Sequence, residues 1–188
     1  MRLNHPSHFD NCPIIAAIKD EEGLSRCMDC ECSVVFVLFG TVCSIGEIVQ
    51  RIKSAGKTAV VHIDLIAGLS AKEVAVDFIK GQTQADGIIS TRPALIRRAK
   101  ELSLIAIQRF FLLDSLALES ITRQLEQSSP DFIEILPGVM PKVIARLCAY
   151  IKTPVIAGGL ISDKEDVMAA LRGGAVAVST TNHDVWFL

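Results

Sequence analysis

The sequence predicts a parallel α/β barrel, a lean (β/α)8 or TIM-type barrel of eight strands. Eight short apolar runs rich in Val and Ile are unbroken rather than alternating, as expected for strands buried on both faces. Longer amphipathic segments separate the runs, which indicates βαβ units with right-handed crossovers. Half of the residues are hydrophobic but only 5% are aromatic, so aliphatic side chains must build the core.

The runs account for all eight strands of such a barrel. In chain order they are Ile14–Ile18, Val34–Leu38, Ala59–Ile63, Gly87–Ile89, Leu104–Ile107, Phe132–Leu136, Val155–Ala157 and Ala175–Val178. A chain of 188 residues is short for this fold, which typically takes about 250, so one or more helices must be short or missing. The segments before Val34 and after Val178 are the candidates. A flavodoxin-like open sheet is the structural alternative, but its five or so strands would leave runs unexplained.

Helical spacing of apolar residues predicts the intervening helices. The predicted helical segments are Ile45–Ala55, Ala71–Lys80, Ala94–Glu101, Ser115–Gln127, Pro141–Ile151 and Ser162–Leu171. Ser70 and Glu73 form a capping-box pattern at the second of these, and Gly173 ends the last.

Composition favours one domain, residues 1–188, and excludes several classes of protein. No apolar run approaches the roughly 20 residues of a membrane span. The first ten residues are polar, so no secretory signal is expected and a cytoplasmic location follows. A net charge of −2 gives no indication of a nucleic-acid partner from bulk charge. The sequence leaves open whether the chain forms a homo-oligomer.

Three of the six cysteines are closely spaced, as in some metal or redox sites. Cys27, Cys30 and Cys32 would need a fourth ligand for structural zinc, and a second cysteine pair at useful spacing is absent. His5, His8 and Cys12 could contribute only by folding back. We therefore expect no metal, and interpret the cluster as the end of a first helix and the loop into a strand.

The residues after the last strands predict a phosphate site. Gly158 and Gly159 follow the seventh run, and Ser179 and Thr180 follow the eighth, where many barrels bind phosphate. Gly138 follows the sixth run. Glycine lets the backbone approach an anion, and bare N–H groups and hydroxyls can donate to it. The alternative interpretation is a tight turn and a helix N-cap.

Charged residues after other strands should meet at the same rim. Lys19, Arg92 and Arg109 could hold the anion, while Asp64 and Glu134 could accept from ligand hydroxyls. The alternative is solvated charge or salt bridges among these groups.

No catalytic residue is expected, because no nucleophile–base pair is apparent. His62 lies inside a strand run, which favours an interior histidine with its hydrogen bonds satisfied.

Several motifs, in order along the chain, resemble those of the glycerol uptake operon antiterminator family. The resemblance runs from about Ile14 to Trp186, and its motifs are His62–Gly68, Gly87–Arg92, Ala106–Asp114, Pro130–Gly138, Ala157–Gly159 and Gly174–Val178. Two of these, the Ala157–Gly159 and Gly174–Val178 pieces, are shared with many phosphate-binding barrels. The cysteines at 27–32 and the short end after Trp186 depart from the family's usual pattern.

The resemblance implies a bacterial transcription regulator that responds to glycerol-3-phosphate. With this effector bound and no cofactor, such proteins act on the leader mRNA of glycerol-utilisation genes and prevent premature termination. The RNA partner comes from the resemblance alone, whereas a ligand with one phosphate and two hydroxyls agrees with the predicted rim. The alternatives are a phosphate-binding-barrel enzyme acting on a small phosphorylated metabolite and a metabolite-binding protein without an RNA target.

Overall fold

The structure, a computed structural model, describes Phe9 and residues 12–188 and is a closed barrel of eight parallel strands. Each strand pairs with the next in chain order, and the last pairs with the first. The strands are β1 Ile14–Ile18, β2 Val34–Val37, β3 Thr58–His62, β4 Gly87–Ser90, β5 Ile105–Phe111, β6 Phe132–Leu136, β7 Val155–Gly158 and β8 Ala177–Thr180. The predicted fold class is confirmed.

Helices on the outside connect the strands. They are α1 Glu21–Arg26, α2 Ile45–Ser54, α3 Val74–Gln82, α4 Pro93–Glu101, α5 Ser115–Ser128, α6 Pro141–Tyr150 and α7 Lys164–Arg172. The first helix has only six residues, and a short 3₁₀ turn at His183–Phe187 follows β8. The barrel is therefore lean at the two places that the sequence indicated. Within the described residues, no helix is both long enough and apolar enough to cross a membrane.

Two predicted helix starts are wrong. Helix α3 begins at Val74 rather than Ala71, and Ser70 does not cap it, because tight i→i−3 bonds such as Ala75 N–H to the Lys72 carbonyl precede the helix. Helix α7 is capped by Asp163, whose side chain accepts from the N–H of Asp166.

Alternation along the strands divides the apolar residues into two layers. Side chains such as Ile15, Val60 and Phe132 fill the inside of the barrel, where Phe9 packs edge-on against Phe132 with ring centroids 5.6 Å apart. The other strand face packs against the helices, for example against Ile52 of α2. Each fully buried aliphatic side chain contributes about 1.5–3 kcal/mol, so these layers supply most of the stability.

A carboxylate clamp recurs at the amino end of the barrel. Asp86, just before β4, accepts from the Lys53 Nζ of α2 at 2.7 and 2.8 Å and from the N–H of Ala59 at 2.8 Å. Asp131, just before β6, likewise accepts from Lys100 of α4 and from a backbone N–H of β5. Each clamp joins the amino end of one strand to the preceding strand and to the helix before that strand.

The cysteine segment lies at the same end and leads from α1 into β2, as interpreted from the sequence. Cys27 is the C-cap of α1, and the buried Lys57 donates its Nζ to the carbonyl oxygens of Cys30 at 2.6 Å and Cys32 at 2.8 Å. No group of three or more potential metal ligands is arranged to hold an ion among the residues that the structure describes; His5 and His8 lie outside them.

Candidate ligand site at the mouth of the barrel

Four polar side chains form a layer inside the carboxyl end of the barrel. They sit two residues beyond inward-facing apolar residues of β3, β5, β6 and β8, so they face inward too. These side chains are those of His62, Arg109, Glu134 and Ser179, all of them buried. Below this polar layer the interior is apolar.

Glu134 is the centre of the layer. Arg109 donates its Nε to Glu134 Oε2 at 2.6 Å, and Ser179 donates its hydroxyl to Glu134 Oε1 at 2.6 Å. A Cβ at Gly158 would lie 2.6 Å from Glu134 Oε1 and 2.6 Å from Ser179 Oγ. Glycine at this position therefore makes room for the carboxylate and its partners.

The sequence placed Arg109 after a strand, but the structure places it inside β5. That strand continues to Phe111 because it stays paired with β6, with Arg109 opposite Glu134 and Phe111 opposite Leu136. The buried ion pair is thus formed by two directly neighbouring residues on adjacent strands.

His62 differs from the satisfied interior histidine that the sequence suggested. It is 3% exposed, and its Nδ1 has no hydrogen-bond partner in the described part of the chain. Burial of the ring is the main cause that lowers the pKa of His62 to about 4, and the positive charge of Arg109 is the second. The ring is therefore neutral at neutral pH. Its position two residues after Val60 was the signal that it faces the barrel interior.

A cavity of about 590 Å³ opens above Glu134. Six of the predicted site residues line it: Lys19, Arg109, Glu134, Gly159, Ser179 and Thr180. The other lining residues are Ala17, Leu38, Leu136, Leu160, Ile161, Ser162, Thr181 and Asn182. The cavity therefore lies beside β1, β6, β7 and β8 at the carboxyl end of the barrel, where sites of this fold form.

Backbone N–H groups supply the open donors of the cavity. Gly159 and Leu160 both have positive φ, +74° and +61°, and the N–H groups of these two residues and of Thr181 donate to no described residue. A non-glycine residue such as Leu160 in this region carries backbone strain, which tends to occur at functional sites. Successive N–H groups of this kind can bind an anion.

The two predicted hydroxyl donors are already engaged. Ser179 donates to Glu134, and Thr180 donates its Oγ1 to the carbonyl of Ile161 at 2.7 Å. Lys19 has no ion-pair partner among the described residues, so its charge is available to a ligand.

Gly138 supports the cavity from outside. Its N–H donates to the Gly159 carbonyl at 3.1 Å, and a Cβ there would lie 2.9 Å from the Gly158 nitrogen. This close approach holds the β6–α6 loop against the end of β7.

Asp64 and Arg92 lie in another sector of the rim and do not line the cavity. Asp64 accepts from the Ser90 hydroxyl at 3.0 Å and from the Thr91 N–H at 2.9 Å, and the Arg92 Nε lies 4.0 Å from it. The geometry corresponds to the salt bridge that was the alternative interpretation of these charges. Their predicted contact with a ligand stays a prediction.

Comparison with known proteins identifies one family and one similar protein of Escherichia coli. The model of a family described as glycerol-3-phosphate responsive antiterminator matches residues 14–186. The chain is 48% identical over 176 residues to the uncharacterized protein YgcP of Escherichia coli (strain K12), covering 94% of this chain and 92% of that protein.

Two solved structures are similar over nearly their whole length. The glycerol uptake operon antiterminator regulatory protein of Listeria monocytogenes is 34% identical, with a TM-score of 0.91 and 95% and 96% of the two chains covered. A glycerol uptake operon antiterminator-related protein of Thermotoga maritima is 33% identical, with a TM-score of 0.82 and 92% and 96% covered. Because the family match spans all eight strands, the chain belongs to the glycerol-3-phosphate responsive antiterminator family.

Proposed function

We propose that this chain binds glycerol-3-phosphate in the mouth cavity and, with the ligand bound, binds the leader mRNA of glycerol-utilisation genes to prevent premature transcription termination. The observation that carries the proposal is a single cavity with open backbone N–H groups on one side and a buried carboxylate in its floor. Family membership supplies the class of ligand and of RNA target. In this proposal glycerol-3-phosphate is the effector and no cofactor takes part, and an mRNA target implies action in the cytoplasm.

The phosphate is assigned to the β7 and β8 side of the cavity. Gly159, Leu160 and Thr181 offer N–H donors there, and Lys19 adds a positive charge on the same lining. Arg109 already neutralises Glu134, so the cavity carries an excess of positive charge that suits a phosphate.

The glycerol hydroxyls are assigned to the polar layer in the floor. Carboxylate oxygens have several acceptor sites each, so Glu134 can accept from a ligand hydroxyl while it keeps Arg109 and Ser179. A phosphate alone would leave this half of the cavity unused.

The loops around the cavity are linked, which gives ligand binding a route to an RNA surface. Thr180 contacts the Ile161 carbonyl, and the Asn182 side chain donates to the Ser162 carbonyl at 2.8 Å, so the β7–α7 loop and the segment after β8 are joined. The ligand is too small to form an RNA surface itself and must favour one arrangement of these loops. We expect a coupling of about 1–3 kcal/mol between ligand and RNA.

The test combines two titrations. Filter binding measures the affinity for the leader RNA upstream of the protein's own gene, with and without glycerol-3-phosphate, and calorimetry measures ligand affinity with and without that RNA. Because coupling is reciprocal, both affinities should rise by the same factor. Glycerol is the control ligand and should change neither. Equal RNA binding with and without glycerol-3-phosphate would contradict a ligand-gated regulator.

The alternative is an enzyme acting on a small phosphorylated metabolite, favoured by Lys19 and Glu134 lining the same cavity. We propose binding rather than catalysis, because both oxygens of Glu134 are held by Arg109 and Ser179, which opposes its use as a general base. Phosphorus NMR of glycerol-3-phosphate, dihydroxyacetone phosphate and glyceraldehyde-3-phosphate incubated with the protein would reveal conversion, and turnover of any of them would contradict this choice.

A further inference from the structure

We propose that the exposed face of helix α6 is the RNA-binding surface, where Lys142 and Arg146 contact phosphates and Tyr150 stacks on an unpaired base. The inference rests on the proposed function and adds to it the surface on which the leader RNA lies. The α6 face is defined by the exposed residues of the helix, which are Lys142, Ala145, Arg146, Ala149 and Tyr150.

Helical spacing places these residues on one side of α6. Lys142, Arg146 and Tyr150 follow one another at intervals of four residues, which separates them by about 6 Å along the helix axis. The alanines beside them are too small to cover the longer side chains, and Tyr150 is 80% exposed. The α6 face therefore presents two cations and an aromatic ring in a row.

The positive charge of the α6 face is not compensated within the described chain. No acidic residue occurs from Ile135 to Ser162. The cations of this stretch, Lys142, Arg146 and Lys152, are exposed and form no ion pair with a described residue. By contrast, every Lys and Arg of α2 and α4 is paired with a carboxylate, namely Arg51, Lys53, Arg97, Arg98 and Lys100. A chain of net charge −2 thus carries a local positive surface, which is the electrostatic feature that attracts nucleic acid.

The stability of the helix does not account for this arrangement. Lys142 lies in the first turn of α6, where the helix dipole disfavours a cation, and it repels Arg146 four residues further on. The ring of Tyr150 is too exposed to contribute much to the core. Single-stranded RNA suits all three side chains, because its phosphates attract cations and its bases stack on aromatic rings.

One loop connects the α6 face to the ligand cavity. Helix α6 begins three residues after Gly138, whose N–H donates to the Gly159 carbonyl at 3.1 Å, and Gly159 lines the cavity. A phosphate held by the Gly159 N–H would therefore act on the loop that positions α6. Through this link a ligand that never touches the RNA can change the affinity for it.

The experiment measures affinity for the leader RNA by filter binding at several salt concentrations, with glycerol-3-phosphate present. The double variant Lys142→Ala/Arg146→Ala removes two positive charges from the α6 face. Its matched control, Lys72→Ala/Lys80→Ala, removes two exposed charges that have no ion-pair partner among the described residues. The control pair follows β3, which stands three strands from β6 in the ring. Tyr150→Ala removes the aromatic ring, and Tyr150→Phe keeps it.

Lys142→Ala/Arg146→Ala should weaken RNA binding at least about tenfold. It should also reduce the slope of log affinity against log salt by about 1.4, since each phosphate contact to a single strand contributes about 0.7. Tyr150→Ala should weaken RNA binding at least about fivefold with an unchanged salt slope, the effect of one lost stacking contact. The control double variant and Tyr150→Phe should bind RNA like the wild type. All four variants should keep the wild-type affinity for glycerol-3-phosphate in calorimetry without RNA.

Equal RNA affinities of Lys142→Ala/Arg146→Ala and the wild type, or equal losses in the two double variants, would overturn the inference while the proposed function stands. A loss in Tyr150→Phe as large as that in Tyr150→Ala would contradict stacking on this ring. A wild type that does not bind the leader RNA would contradict the proposed function and this inference with it.

Discussion

The two ends of this barrel are built from different chemistry. At the amino end, Phe9 and Phe132 close an apolar interior, and the surrounding charges are paired in clamps such as Asp86 with Lys53. At the carboxyl end, the interior is polar, Nδ1 of His62 lacks a partner, and Gly159 leaves its N–H open within the described chain. The contrast indicates that one end maintains the fold and the other binds, a separation typical of this architecture.

The two buried cations Lys57 and Arg109 have different roles at the two ends of the barrel. Lys57 at the amino end has its ammonium group fixed by two carbonyls of one loop, so it joins β2 and β3. Arg109 at the carboxyl end has a carboxylate partner and borders the cavity. Substitutions at the two ends should therefore separate loss of stability from loss of ligand.

The largest effect should come from Glu134→Ala, which tests whether the carboxyl end also contributes to stability. Removal of the carboxylate leaves Arg109 buried without its partner, and we expect the free energy of unfolding to fall by about 3 kcal/mol, at the low end for a broken buried pair because the cavity admits water. Urea unfolding measures it, with Glu134→Gln as the milder control. A loss well below 1 kcal/mol would show that solvent alone satisfies Arg109.

Ligand binding should raise the free energy of unfolding by nearly as much as Glu134→Ala lowers it. Glycerol-3-phosphate at about 100 times its dissociation constant should add about 2.7 kcal/mol to the free energy of unfolding, whereas glycerol should add almost nothing because it lacks the phosphate. Thermal unfolding with each compound measures the difference. Equal shifts from the two compounds would remove the case for a phosphate site.

Lys57→Met should affect stability alone. The change keeps the aliphatic stem but leaves the Cys30 and Cys32 carbonyls without their donor, at a cost of about 2 kcal/mol in the free energy of unfolding. Calorimetric affinity for glycerol-3-phosphate should equal that of the wild type. A weaker ligand affinity in the folded variant would show that the two ends are coupled.

Gly159→Val should affect the ligand more than the fold, and Gly56→Val is its matched control. Both glycines have φ of +74°, so both substitutions strain the backbone, by about 1–2 kcal/mol. A Cβ at Gly159 would also lie 3.2 Å from Leu136 Cδ2, whereas one at Gly56 would meet nothing within 4 Å, so the control matches the backbone strain and not this contact. Only Gly159 lines the cavity, and there a β-branched side chain should weaken ligand binding at least about tenfold, or 1.4 kcal/mol. Equal ligand affinity in the two variants would show that the Gly159 loop is a simple turn that takes no part in binding.

Replacing Cys27, Cys30 and Cys32 by Ser is also expected to leave ligand binding unchanged. These side chains are buried at the amino end, so the melting temperature should fall while the affinity for glycerol-3-phosphate stays unchanged. Metal analysis of the purified wild type accompanies the measurement. Stoichiometric zinc that is lost in the triple variant together with stability would contradict the interpretation of these cysteines as structural.

Much of the architecture could be read from the chain because local patterns determine it. Unbroken aliphatic runs are required wherever a strand is buried on both faces, and each of the eight predicted runs overlaps a strand. The eighth strand begins two residues later than predicted, so Ser179 and Thr180 lie inside it rather than after it. The gaps between them also showed where helices had to be short, at α1 and after β8. The starts of α3 and α7 were missed, since more than one nearby residue can cap a helix and packing selects among them.

The sequence predicted the site only in part. The position of a residue after a predicted strand places it at the carboxyl end of the barrel, but it does not show which way the side chain points or which groups it contacts. Six of the ten predicted residues, Lys19, Arg109, Glu134, Gly159, Ser179 and Thr180, line one cavity, because the carboxyl ends of the strands meet there. Their contact with a ligand stays a prediction. Tertiary structure alone decided that the hydroxyls of Ser179 and Thr180 are engaged within the protein and that Asp64 holds the Ser90 and Thr91 turn. It also decided that Nδ1 of His62 stays unpaired, since hydrogen-bond partners are fixed by distances between strands that lie far apart in the chain.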